Sequence, residues 1–163
     1  GEDQVVRAVA ARLVPVPGEP WSGLLRMDPS EREWYVRLLY RLLLNSVQNS
    51  NRMLLLNYLA MTAGRRFELG FTAEELCLLI DLIREEIREW LARRRELAGF
   101  ERELYERVTV PLEFGKDEIL DRWERHQAGE RGPATAEGES PARSPTGQEQ
   151  LAETIWQCLV QRR

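Results

Sequence analysis

The sequence predicts an all-α protein, an antiparallel bundle of four or five main helices with a tethered C-terminal helix. Three observations lead there. Apolar residues recur at three- and four-residue spacing along most of the chain. Two helix starts are written out, at Asp28-Pro29-Ser30-Glu31 and at Thr72-Ala73-Glu74-Glu75. The two-residue alternation of a half-buried strand is found nowhere.

The elements follow in order. Val5, Val6, Val9 and Leu13 give a short amphipathic helix over residues 3–14. Pro15, Pro17 and Pro20 end it, because proline removes a donor and pushes the preceding residue to extended geometry. Trp21, Leu24 and Leu25 are expected to fold this loop back onto the bundle. The next helix begins at Asp28 and carries an apolar stripe through Trp34, Tyr35, Leu38, Leu39, Leu42 and Leu43. The run Asn45 to Asn51 is poor in helix formers, which predicts a break near Asn49 to Asn51; one long helix through to Phe67 is the alternative.

Arg52 to Leu69 forms the following helix, apolar over more than half its circumference, and Gly70 caps it in a left-handed conformation. From Ala73 to about Ala98, Leu76, Leu79, Ile80, Ile83, Ile87, Trp90 and Leu91 share one side. Residues 100–108 add a turn or two, with Phe100, Leu104 and Val108 on one stripe. Pro111 and Gly115 are expected to interrupt the helix there. Lys116 to Gln127 reads as the last bundle helix, with Ile119, Leu120 and Trp123 facing inward. The domain organisation is therefore a bundle over 1–127, a flexible linker over 128–147 that has no large apolar residue, and an amphipathic helix over 148–163.

Composition narrows the function classes. Apolar residues make up 43% of the chain and charged residues 31%, with no apolar run long enough to span a bilayer. No signal peptide is visible, and the two cysteines, Cys77 and Cys158, form neither a metal-ligand spacing nor a disulfide framework. A cytoplasmic protein with reduced thiols is the expectation. A net charge of −4 argues against non-specific nucleic-acid binding, which needs positive charge to displace counterions. Arg93-Arg94-Arg95 is the one basic run, and cations near a helix C-terminus are expected without a ligand.

Catalytic chemistry finds no constellation. His126, the only histidine, stands at a helix end beside the linker, where a solvated role outweighs a phosphoacceptor role. The pairs Glu74–Glu75, Glu85–Glu86 and Asp117–Glu118 read as solvated faces or helix starts rather than acid–base dyads. There is no Glu-x-x-His, His-x-x-x-His, phosphate loop or Gly-x-Ser-x-Gly, so neither an enzyme nor a cofactor is expected. Gln48, Asn49, Asn57 and Thr62 are polar among apolar neighbours. They suit buried hydrogen bonds that set helix register, or a small-molecule pocket between the helices bearing Asn57 and Trp90.

The stretch Leu59 to Leu91 contains Gly64-Arg65-Arg66, Gly70-Phe71-Thr72, Glu74-Glu75 and Leu82-Ile83-Arg84-Glu85-Glu86-Ile87. It resembles the helical N-terminal input domains of bacterial stress-response regulators of the RsbR and RsbU kind. The resemblance covers about a fifth of the chain. It implies an input or docking bundle, often dimeric, and names no ligand.

The functional expectation is a non-enzymatic signalling or regulatory module acting through protein–protein contacts, with a ligand-sensing bundle as the alternative and a nucleic-acid-binding regulator behind both. A homodimer is expected, because the Arg52 to Leu69 helix has more apolar surface than a small bundle covers. A second protein of a regulatory pathway is the other expected partner. The C-terminal segment supplies candidate anchors Leu151, Ile155, Trp156 and Leu159 for helix-in-groove docking, with Trp156 foremost.

Overall fold

A computed structural model describes residues 1–13 and 22–129. The described residues are all-α. The helices are α1 (Glu2–Arg12), α2 (Ser22–Arg26), α3 (Pro29–Asn49), α4 (Met53–Glu68), α5 (Ala73–Ala92) and α6 (Glu101–Gln127), with a 3-10 turn at Arg95–Leu97 before α6. The linker beyond Gly129 and the segment holding Leu151, Ile155, Trp156 and Leu159 lie outside the described residues, as does Trp21.

Local chemistry accounts for the boundaries. Asp28 caps α3, its carboxylate accepting the Ser30 N–H at 2.8 Å, and Pro29 stands in the first turn, where no donor is missed. The break expected near Asn49 to Asn51 is present: Ser50 takes a left-handed φ of 50°, and the Asn51 side chain accepts the Met53 N–H at 2.9 Å to start α4. Gly70, at φ 85°, closes the other end of α4. Thr72 then caps α5, its hydroxyl accepting the Glu75 N–H at 3.1 Å. The helix α5 ends at Ala92, earlier than expected, because the chain tightens into the 3-10 turn and reverses at Gly99 with φ 95°.

The expected interruption of the last helix is overturned. Pro111 and Gly115 do not interrupt the last helix; α6 runs unbroken through both. An interior proline costs roughly 3 kcal/mol. Burial of Val108, Leu112 and Ile119 along the same face offsets that cost, at about 1.5–3 kcal/mol for each fully buried large side chain. Gly115 has a packing reason: a Cβ there would lie 2.8 Å from Leu59 Cδ1, so the missing side chain lets α4 and α6 approach.

The five long helices close a ring in the order α1, α3, α4, α6, α5, and α6 also touches α3. Side-chain pairs fix the directions. Glu2 meets Arg37 and Arg41 while Arg32 reaches the Leu13 carbonyl, so α1 and α3 are antiparallel. Arg84 meets Glu113 and Asp81 meets Lys116, so α5 and α6 are antiparallel. Arg52 lies on Phe114 and Phe67 on Trp123, so α4 and α6 run the same way. Inside the ring are Val6, Leu38, Leu42, Leu43, Leu79 and Ile83, all essentially inaccessible to solvent. Leu24 of α2 is buried too, as its loop was expected to fold back. Three aromatic or aliphatic residues assigned inward by spacing are instead exposed, namely Trp34, Phe100 and Leu120.

Candidate functional site

The polar residues singled out by sequence are not brought together. Gln48 and Asn49 are exposed at the end of α3, and Asn49 Nδ2 donates to its own helix at the Asn45 carbonyl, 3.1 Å away. Asn57 faces solvent on α4. Thr62 donates its hydroxyl to the Tyr58 carbonyl at 2.8 Å, a bond within one helix that sets no register between two. Trp90 lies beside Gly1 of the N-terminus and under the Arg94 guanidinium at 4.6 Å.

A groove forms elsewhere, where the end of α3, the Ser50–Arg52 turn and the first half of α6 converge. Its volume is about 370 Å³, and Ser46, Val47, Arg52, Arg107, Val110 and Pro111 are among its walls. Ser46 is buried there, and its hydroxyl has no partner. Beside the groove, Val110 is 50% exposed, Phe114 42% and Met53 54%, an apolar ledge on the surface. The Arg52 guanidinium lies 3.9 Å from the Phe114 ring centre, a cation–π contact that fixes this edge. Glu103 and Glu106 close the rim, each paired with an arginine of its own helix, Arg107 and Arg102, at 2.8 Å. Pro111 has a further effect, for it carries no N–H, and the Arg107 carbonyl one turn back therefore lacks its helical donor. Sequence reasoning missed this place by reading Pro111 as a break. The available signal was Val110 and Phe114, four residues apart on the side of α6 opposite Leu112.

A second polar feature is internal. Glu75, read by sequence as a helix-start acid on a solvated face, is 0% exposed. Its Oε1 accepts the Leu24 N–H at 2.6 Å, so the carboxylate that begins α5 also caps the short helix α2. Its Oε2 is buried without a partner. The expectation failed because the group that draws Glu75 inward lies 51 residues away in sequence. Nearby, the Arg66 guanidinium stacks on Tyr35 at 4.1 Å and on Phe71 at 5.1 Å.

Burial raises the Glu75 carboxyl above its ordinary value, against the pull of the Leu24, Thr72 and Gly23 amides. A raised value means that the folded chain holds the proton more tightly than the unfolded chain. The resulting stabilisation is complete below the ordinary carboxylate range and is lost as pH rises through the elevated folded value. Glu2 has the opposite sign: burial would raise it, but hydrogen bonds from Arg41 and Arg37 lower it, so its contribution is lost as pH falls. Glu75→Gln, which cannot ionise, is expected to gain stability relative to the native chain as pH rises from about 4 to about 8. Chemical denaturation of both chains across that range measures it, and a constant difference would exclude the buried carboxylate as a titrating group.

The remaining candidates are structural. His126 is exposed on the last turn of α6 and stacks on Trp123 at 5.8 Å. Arg93 pairs with Glu89 at 2.8 Å, so the basic run is partly engaged by its own helix. Glu85 and Glu86 hold Arg12 of α1. Burial pushes the half-buried Cys77 thiol up to about 11. Among the described residues no helix is long and apolar enough to cross a membrane, and no cluster has metal-ligand composition. No family model, curated protein or solved structure matches the chain.

Proposed function

We propose that the chain is a non-enzymatic signalling or regulatory module that acts through protein–protein contact, with the groove between the α3–α4 turn and α6 as its contact surface. The supporting observation is the apolar ledge of Met53, Val110 and Phe114 beside a depression of about 370 Å³. Its occupant is an amphipathic helix with a large apolar anchor and a flanking acid. The anchor suits Val47, Val110 and Pro111, and the acid suits Arg52, whose guanidinium stays at the surface edge. Selection from a library of helical peptides tests this. Peptides that bind the native chain are expected to lose at least about tenfold in affinity for Val110→Asp or Phe114→Asp, the effect of desolvating a charge in an apolar contact. Selected peptides that bind native and variant chains equally would overturn the reading, and a co-purifying small molecule displaced by the same variants would replace it with ligand sensing.

A homodimer is the second part of the reading. Met53, Asn57 and Met61 follow one turn apart along an exposed stripe of α4, the methionines 54% and 52% exposed. A second copy is the simplest cover for such a stripe, because a two-fold contact places it against itself. Light scattering at tens of micromolar is expected to give the dimer mass for the native chain and the monomer mass for Met61→Asp. A monomer mass for both removes this part.

A further inference from the structure

We infer that the groove is filled in cis by residues 148–163 of this chain, with Trp156 as the anchor; the inference rests on the contact reading above and names its occupant. The segment repeats Leu151, Ile155 and Leu159 at four-residue spacing and adds Trp156 and Val160, the anchor pattern of a groove-docking helix. A helix of this length is marginal alone in water, so its apolar side needs a seat to form.

Reach, size, charge and hydrogen bonding all fit the groove. Pro111 lies on the helix that ends at Gln127, roughly 24 Å back along its axis at about 1.5 Å per residue. Twenty residues separate Gln127 from Gln148, and any unstructured chain of that length would span roughly 25 Å, the distance required. A depression of about 370 Å³ holds one large aromatic and part of a neighbour rather than a whole helix face, which singles out one anchor residue. The segment has acids at Glu149 and Glu153, and the groove edge has the Arg52 guanidinium, whereas Arg107, Glu103 and Glu106 are already paired along α6. An indole brings one N–H that must find an acceptor when buried. Pro111 offers no N–H to the Arg107 carbonyl, and Arg107 and Pro111 both line the groove. In this arrangement an external helix must displace the chain's own, so the segment sets the threshold for partner binding.

Disulfide trapping in the full chain tests the inference. With Cys77→Ser and Cys158→Ser as background, Val110→Cys is paired with Ile155→Cys, and a control pairs Arg7→Cys, exposed on α1 across the ring, with Ile155→Cys. Under mild oxidation the Val110 pair is expected to close within one chain roughly tenfold faster than the control, because docking raises the local concentration. Adding Trp156→Ala is expected to return it to the control rate. Phe114→Cys, one turn along the ledge, replaces Val110→Cys if that chain does not fold. Equal rates for groove and control pairs, or products that are mainly cross-linked dimers, overturn docking in cis. If library peptides still depend on Val110 while the trapping rates are equal, this inference falls and the contact reading stands. If no peptide depends on Val110, the contact reading itself falls.

Discussion

Leu79→Ala is expected to lower the unfolding free energy by about 2–5 kcal/mol, the range for truncating a fully buried leucine that leaves a cavity. Leu79 is 0% exposed in the middle of α5, the helix that packs α1 on one side and α6 on the other. Neither neighbour can collapse onto the space without losing its other contacts in the ring. Urea denaturation measures the effect as a lower midpoint with an unchanged slope. Leu69→Ala, at an exposed position after α4, is the control and is expected to change stability by less than about 0.5 kcal/mol. A loss at Leu79 no larger than that at Leu69 would show that Leu79 is not packed inside the ring.

Gly23→Ala is expected to cost about 1–3 kcal/mol from overpacking. A Cβ at Gly23 would stand 2.7 Å from Phe71 Cγ and 2.8 Å from Glu75 Oε2. Phe71 is buried and its ring sits under Arg66, so the ring does not yield and α2 must lift. Lifting α2 withdraws the Leu24 N–H from Glu75 and leaves the carboxylate buried without its donor, a further cost of about 1–3 kcal/mol. The two losses share one contact and are therefore coupled. In a Glu75→Ala background, Gly23→Ala is expected to cost less than in the native chain, with a coupling of about 0.5–3 kcal/mol in a double-mutant cycle. Strict additivity would show that α2 is not held by Glu75.

The parts of this fold that were legible in sequence are those decided locally. Asp28 and Thr72 cap helices through bonds to residues two and three positions on, so their neighbours in sequence were enough to place them. The break at Ser50 was visible for the same reason, since the Asn-rich run favours local bonds over helix. Where distant residues decide, the reading failed. Pro111 is tolerated because α4 and α5 bury the helix that contains it, and Gly115 answers to Leu59 rather than to its own turn. Glu75 looked like a surface acid because Leu24, its partner, is remote in sequence. The groove was invisible until α6 proved continuous, because Val110 and Phe114 belong to one face only if Pro111 does not break it.

The placement of α1 has a kinetic consequence. A short turn joins α3 to α4, so the first contacts between them close a small loop. Arg12 of α1 meets Glu85 across 73 residues, and that contact closes a large one. Loop entropy is lost before such a contact returns anything, so the α1–α5 seam is expected to close later than the α1–α3 seam, where Arg32 reaches the Leu13 carbonyl across 19 residues. A tighter grip of Arg12 on Glu85 is then expected to slow unfolding and to leave the folding rate nearly untouched.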